Sequence, residues 1–196
     1  MALLSNSKRS LSDRIWHAQV TSKFADSREC FLPHNELDNL VTKNAVKEEM
    51  PDAGEDLLTF TLQNAKRVFA IAVMCEIEDE RLEEAMKIFM HAGFCDESLP
   101  IKNPKEDDPD YGDPPLCFGR CRAFTRITRL HSFYKNQWIF LAPVFTTTTF
   151  RYSLPVNSVL PFIWKDTTVK SGTFGQVFEG EIHPDHQDDL RNVSIS

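Results

Sequence analysis

DERLEEAMKIFMH, residues 79–91, reads as an α-helix with both ends marked. Asp79 stands where a cap is needed, and Glu80, Glu83 and Glu84 lie in the first turns, where carboxylates favour the positive end of the helix dipole. Leu82, Ala85, Met86, Phe89 and Met90 recur at helical spacing along one face. Gly93 follows as the residue type that leaves a helix in the left-handed conformation without strain. The acids here read as the wet face of an amphipathic helix, and the front half of the chain as helical.

Working back from that helix, residues 57–75 are the most apolar stretch of the front half. The run VFAIAVMC at 68–75 fits a buried helix segment or a core strand, and total length favours one helix over the whole stretch. Leu37, Leu40, Val41 and Val46 predict a helix between Pro33 and Met50, ended by the turn residues Pro51, Asp52 and Gly54. Ser10 and Asp13 can cap a helix over 11–24, with Leu11, Ile15 and Ala18 as its stripe. Residues 1–10 are polar and read as loose.

Forward of the same helix the pattern dissolves. Residues 98–115 carry Pro at 100, 104, 109, 114 and 115 with acids between them, which predicts a mobile acidic connector rather than an element. Beyond it, QWIFLAPVF at 137–145 runs into a threonine row at 146–149 whose branching favours extended chain. Residues 152–163 contain Pro155 and Pro161, so strands there are short, and 173–182 is a β-type segment interrupted by Gly175 and Gly180. The expected fold is α+β: a helical region over 1–98, a connector over 99–115, and a β-rich region over 116–196.

Composition sets the class. The 196 residues are 41% hydrophobic and 26% charged, as in ordinary globular protein, and 15 Phe against 3 Tyr and 3 Trp point to apolar packing. No apolar run is long enough for a signal-peptide core or a membrane span, so the chain reads as intracellular, cytoplasmic or nuclear, with no membrane partner. Five cysteines without framework spacing fit reduced thiols, and Cys117 and Cys121 lack a second ligand pair at zinc-site spacing. His183 and His186, in HPDHQDD, admit either a metal pair or a polar surface tail, and Pro184 favours the tail.

The net charge of −7 argues against nucleic acid as a partner of the whole molecule. Residues 76–113 hold thirteen acids and four bases, whereas 116–137 hold five bases and no acid. On a helix Ala123, Phe124, Ile127, Leu130 and His131 would face inward while Arg122, Arg126 and Arg129 face out. Interleaved Arg and aromatic residues are also the composition of a nucleic-acid or phospho-ligand surface. The favoured expectation is a basic face that meets the acidic region, within one molecule or between copies, through fork-like Arg donors.

VKSGTFGQVFEGEIH, residues 169–183, matches the later part of the glycine-rich loop G-x-G-x-x-G-x-V. Gly172, Gly175 and Val177 fall at its second Gly, third Gly and Val, with Thr173 and Phe174 at the tip and Lys170 in place of the first Gly. Together with LPFIWKD before it and WIFLAPVF further upstream, this segment resembles a group of fungal serine/threonine protein-kinase-like proteins in which a helical N-terminal region precedes the kinase domain. The resemblance implies a kinase small lobe beginning near residue 159, with ATP approached by Gly172, Thr173, Phe174, Gly175 and Val177. No lysine follows Lys170, and neither H-R-D nor D-F-G occurs, so the catalytic set has no candidates and Mg is not expected to be held by this chain. The chain is thus expected to be the N-terminal region or a truncated homologue of a protein kinase, ATP-associated by ancestry but not catalytic, whose partner is the remainder of a kinase domain or another protein. The alternative is a non-enzymatic protein–protein interaction module with opposed acidic and basic surfaces.

Overall fold

Ser10 opens the first helix as its sequence position suggests: its hydroxyl accepts the Asp13 amide at 3.1 Å, and α1 runs over Leu11–Ala18. The computed structural model describes residues 9–24, 29–77, 79–105, 107–149, 151–166, 170–172, 175–177 and 179–188, with the backbone alone at Asp79, 170–172 and 175–177. α1 is shorter than the expected 11–24, because the β-branched Val20 and Thr21 form an extended strand, β1, antiparallel to β2 (Cys30–Phe31).

Both of the next expected helices are broken in two. Between Pro33 and Met50 the chain forms α2 (Glu36–Leu40) and α3 (Lys43–Glu49). Thr42 makes the break by accepting the Ala45 amide at 3.3 Å as a new N-cap. The stretch expected as one helix over 57–75 becomes α4 (Glu55–Asn64) and α5 (Lys66–Met74), divided at Ala65, whose φ of −138° leaves the helical region. No neighbouring side chain caps α5. The Asp96 carboxylate does so from 28 residues away, accepting the Arg67 amide at 3.1 Å and the Val68 amide at 3.0 Å. Burial raises the Asp96 pKa, outweighing the two amides that favour its charged form.

α6 spans Asp79–Ala92 and closes as the sequence implies. Gly93 takes a φ of +67°, and the Phe94 amide bonds back to the Phe89 carbonyl at 2.9 Å. The same closure sets the Phe89 and Phe94 rings 5.1 Å apart.

Among its described residues the proline-rich connector has no helix or strand beyond the 3-10 turn Asp96–Ser98 at its start, yet it is docked rather than loose. Buried Gln137 reads both backbone groups of Ile101, accepting its amide at 2.8 Å and donating to its carbonyl at 3.0 Å. Asn103 bridges to Tyr111, and the Tyr134 hydroxyl donates to Asp110 at 3.2 Å while accepting from Asn157 at 2.7 Å. Burial, and then Asp110, push the Tyr134 phenol up to about 12, so it remains a donor at neutral pH.

The region from 116 does not begin as β structure. α7 (Leu116–Arg120), a 3-10 turn (Arg122–Phe124) and α8 (Ile127–Phe140) continue the helical body, so half of the QWIFLAPVF run is helix. Leu130, Phe133, Tyr134 and Trp138 give α8 a buried stripe at helical spacing, and that packing overrides the pull of the threonines downstream. Phe89, Phe94, Phe118, Phe124 and Phe133 form one cluster with ring centroids 5.0 to 6.5 Å apart, joining α6 to α7, the turn and α8. The buried core extends without interruption from Leu11 to Val159.

Strands follow only after residue 144: β3 (Phe145–Thr146), β4 (Phe162–Lys165), β5 (Lys170–Gly172), β6 (Gly175–Val177), β7 (Gly180–Ile182) and β8 (Gln187–Asp188). They pair in twos, β4 with β7 and β5 with β6 antiparallel, β3 with β8 parallel. The fold is α+β, and every sheet among the described residues has two strands. No described helix is long and apolar enough to cross a membrane.

Candidate functional site

β4 and β5 run out, β6 and β7 run back, so the two ladders lie in succession along one hairpin. At its far end Gly172 faces Gly175 across a two-residue tip, and Lys170 faces Val177. Thr173 and Phe174, the tip itself, lie outside the described residues. Glycine at both positions flanking a two-residue tip lets the backbone turn and approach a ligand without side-chain collision.

The base of the hairpin is fastened to the helical body. The Lys23 amide donates to the Phe162 carbonyl at 2.7 Å, and the Ser22 hydroxyl to the Leu160 carbonyl at 2.6 Å. The Lys165 ammonium donates to the Phe24 carbonyl at 2.9 Å and lies 5.3 Å from the Phe24 ring centroid, while that ring packs 5.2 Å from Phe162. Gly180 is required beneath Phe162: a Cβ there would stand 2.7 Å from the ring.

The two histidines of the HPDHQDD segment are structural. His183 accepts the Asp185 amide at 3.2 Å and so caps the 3-10 turn Pro184–His186. His186 is 1% exposed, so the expected surface tail is instead anchored inside. Its Nδ1 is 3.0 Å from the Pro143 carbonyl and its Nε2 3.4 Å from the Leu32 carbonyl, with the Phe31 ring edge-on at 5.1 Å. Burial lowers the His186 pKa, and the two carbonyls oppose this only in part. Among the described residues no group of three His, Cys, Asp or Glu side chains could hold a metal ion.

None of the five cysteines is in a disulfide among the described residues. Burial pushes Cys75 up to about 12 and raises Cys117 and Cys121, so none of these three supplies a thiolate nucleophile.

Arg122 and Arg126 are exposed, and Arg129 is half-buried with its Nη1 donating to the Ala123 carbonyl at 3.2 Å. Among the described residues none of the three pairs with a carboxylate. The phenylalanine cluster joins the two segments. Sequence reading missed Gln137, Asp96 and Asn157, the polar residues that fix the connector and α5. A glutamine opening an otherwise apolar run was the one available signal. Comparison with protein-family models, with curated proteins and with solved structures gives no match to this chain.

Proposed function

We propose that the chain is the helical N-terminal region of a protein-kinase-like protein, carrying the first hairpin of a small lobe as a mounted, non-catalytic element. The observation that supports this reading is the register of Gly172 against Gly175 at the tip of a hairpin whose base is fixed to the helical body. In a glycine-rich loop, that arrangement brings backbone amides to nucleotide phosphates. Two strands make one wall of such a pocket, and a nucleotide needs more than one wall to be held tightly. ATP is therefore the ligand this hairpin is suited to approach, with weak affinity in the isolated chain. Phosphate transfer has no candidate base, phosphate-binding lysine or metal-binding aspartate in the sequence.

An NMR titration of the ¹⁵N-labelled chain with Mg-ATP tests the reading. Amide shifts concentrated in residues 170–177, with a dissociation constant on the order of 1 mM, are expected. Shifts absent from that hairpin, or phosphate transfer that disappears in Gly172→Asp, would overturn it. Sequencing the transcript through the Ser196 codon adds a second arm: an open frame bearing a strand lysine, then H-R-D and D-F-G, is expected, and a stop codon counts against it.

A further inference from the structure

The elements beside α6 leave two complementary surfaces uncovered. Leu116, at the start of α7, is 85% exposed, and Ile127, at the start of α8, is 60% exposed. Arg122 and Arg126 flank them on the same short run of packed helices, exposed and without an ion pair among the described residues. These neighbouring elements thus expose two large apolar side chains and two guanidinium groups.

Its counterpart lies on α6. Glu80, Glu84 and Ile88 follow one another at four-residue spacing, so they share a helix face, and they line a groove of about 480 Å³ closed on its other side by Pro51 and Asp52. Ile88 and Pro51 give it apolar lining, and Glu80, Glu83, Glu84 and Asp52 outnumber Lys87 and His91 among its polar residues. Glu83 and Lys87 neutralise each other at 2.5 Å, whereas Glu80 and Glu84 form no ion pair among the described residues. The two surfaces are neighbours: α6 packs on α7 and on the 3-10 turn, and Glu84 is near enough to Cys121 to act on its thiol electrostatically. Among the described residues Arg122 and Arg126 form no ion pair with Glu80 or Glu84, although the elements that carry them are joined through the phenylalanine cluster.

In a two-fold dimer the same face of each copy meets the other, so a basic, apolar surface beside an acidic groove can be matched twice, each on its counterpart. We infer that this face binds a second copy of the chain, with Leu116, Ile127, Arg122 and Arg126 of each copy seated on the groove bounded by Glu80, Glu84 and Asp52 of the other. The acidic side chains of the groove supply the charge that the arginines lack, and its apolar lining covers the exposed Leu and Ile. This arrangement lies outside the glycine hairpin and does not depend on the nucleotide reading.

Light scattering coupled to gel filtration tests it. At about 0.05 M salt the wild type should approach twice its chain mass of 22.5 kDa with rising concentration, and dissociate at about 0.5 M salt as screening shortens the reach of the charges. Arg122→Glu with Arg126→Glu, and separately Glu80→Lys with Glu84→Lys, should each weaken self-association by at least about tenfold, the effect expected of reversed interface charges. Mixing the two variants should restore a 1:1 pair, because each then offers the surface that the other needs. A wild type that stays monomeric at every concentration and salt, or a mixture no more associated than its separate components, would overturn the inference. The mixing arm also guards against a folding defect, since a damaged variant cannot be rescued by its partner.

Discussion

The helical body and the hairpin of this chain reach order by different routes. In the body, four phenylalanines from four elements meet Phe94, just past α6, at one centre, and buried residues run from Leu11 to Val159. In the hairpin, β4 to β7 pair only with each other among the described residues, and Phe162 and Trp164 are half-buried and exposed. The body rests on burial of apolar area, the hairpin on backbone ladders and a few contacts at its base. A sheet of two strands is marginal by itself, so the mount formed by Ser22, Lys23 and Phe24 sustains the second region.

The largest test of this contrast is Phe133→Ala. Phe133 contacts four other rings and is fully buried, so its truncation should cost about 3 to 5 kcal/mol in urea unfolding. A loss under about 1 kcal/mol would mean the cluster does not hold the body together.

Gln137→Leu comes next. It keeps an apolar volume but leaves the buried Ile101 amide and carbonyl without partners, for an expected loss of about 2 to 6 kcal/mol at about 1 to 3 per group. Amide exchange at Ile101 should accelerate with it. Unchanged protection there would show that the connector is held by other contacts.

Gly180→Ala probes the hairpin alone. The added methyl must displace the Phe162 ring, at a cost of about 1 to 2 kcal/mol confined to local opening. Hydrogen exchange should rise across β4 and β7 while the melting temperature of the body holds. A global loss of cooperativity would erase the distinction between the two regions.

The smallest effect is expected from Arg122→Glu with Arg126→Glu. Neither arginine has an acidic partner within the described part of the molecule, so monomer stability at high salt should change by no more than about 0.5 kcal/mol. A larger loss would restore the intramolecular docking that composition first suggests.

What the sequence discloses follows the range of the forces involved. α6 is legible because its acidic first turns, its stripe and Gly93 all lie within fifteen residues. The split at Thr42 had a local sign as well, an N-cap residue inside a helical pattern, though hydrophobic spacing hid it. The split at Ala65 had none, since alanine is the best helix former and its conformation there answers to Asp96, which caps the next helix from far along the chain. α8 was obscured by its own C-terminal neighbourhood, where threonines suggested extended chain. For the candidate sites, the glycine pair and the uncovered arginines can be read directly from residue type. Whether the arginines meet acids depends on how the phenylalanine cluster orients α6 and α7, and no spacing rule encodes that.

One hydrogen bond at the foot of the hairpin has an architectural consequence. The His183 amide donates to the Pro161 carbonyl at 2.8 Å, so the chain is closed on itself at the point where the hairpin departs and returns. Beyond that closure, His186 and β8 hand the chain back to Leu32, Pro143 and β3. The intervening residues are therefore a side excursion whose ends already touch, and the backbone route through the body is the same whatever occupies it. Such a junction tolerates exchange: a longer, shorter or foreign segment grafted between Lys165 and Gly180 keeps the Phe162 and Lys165 anchorage without redirecting the chain.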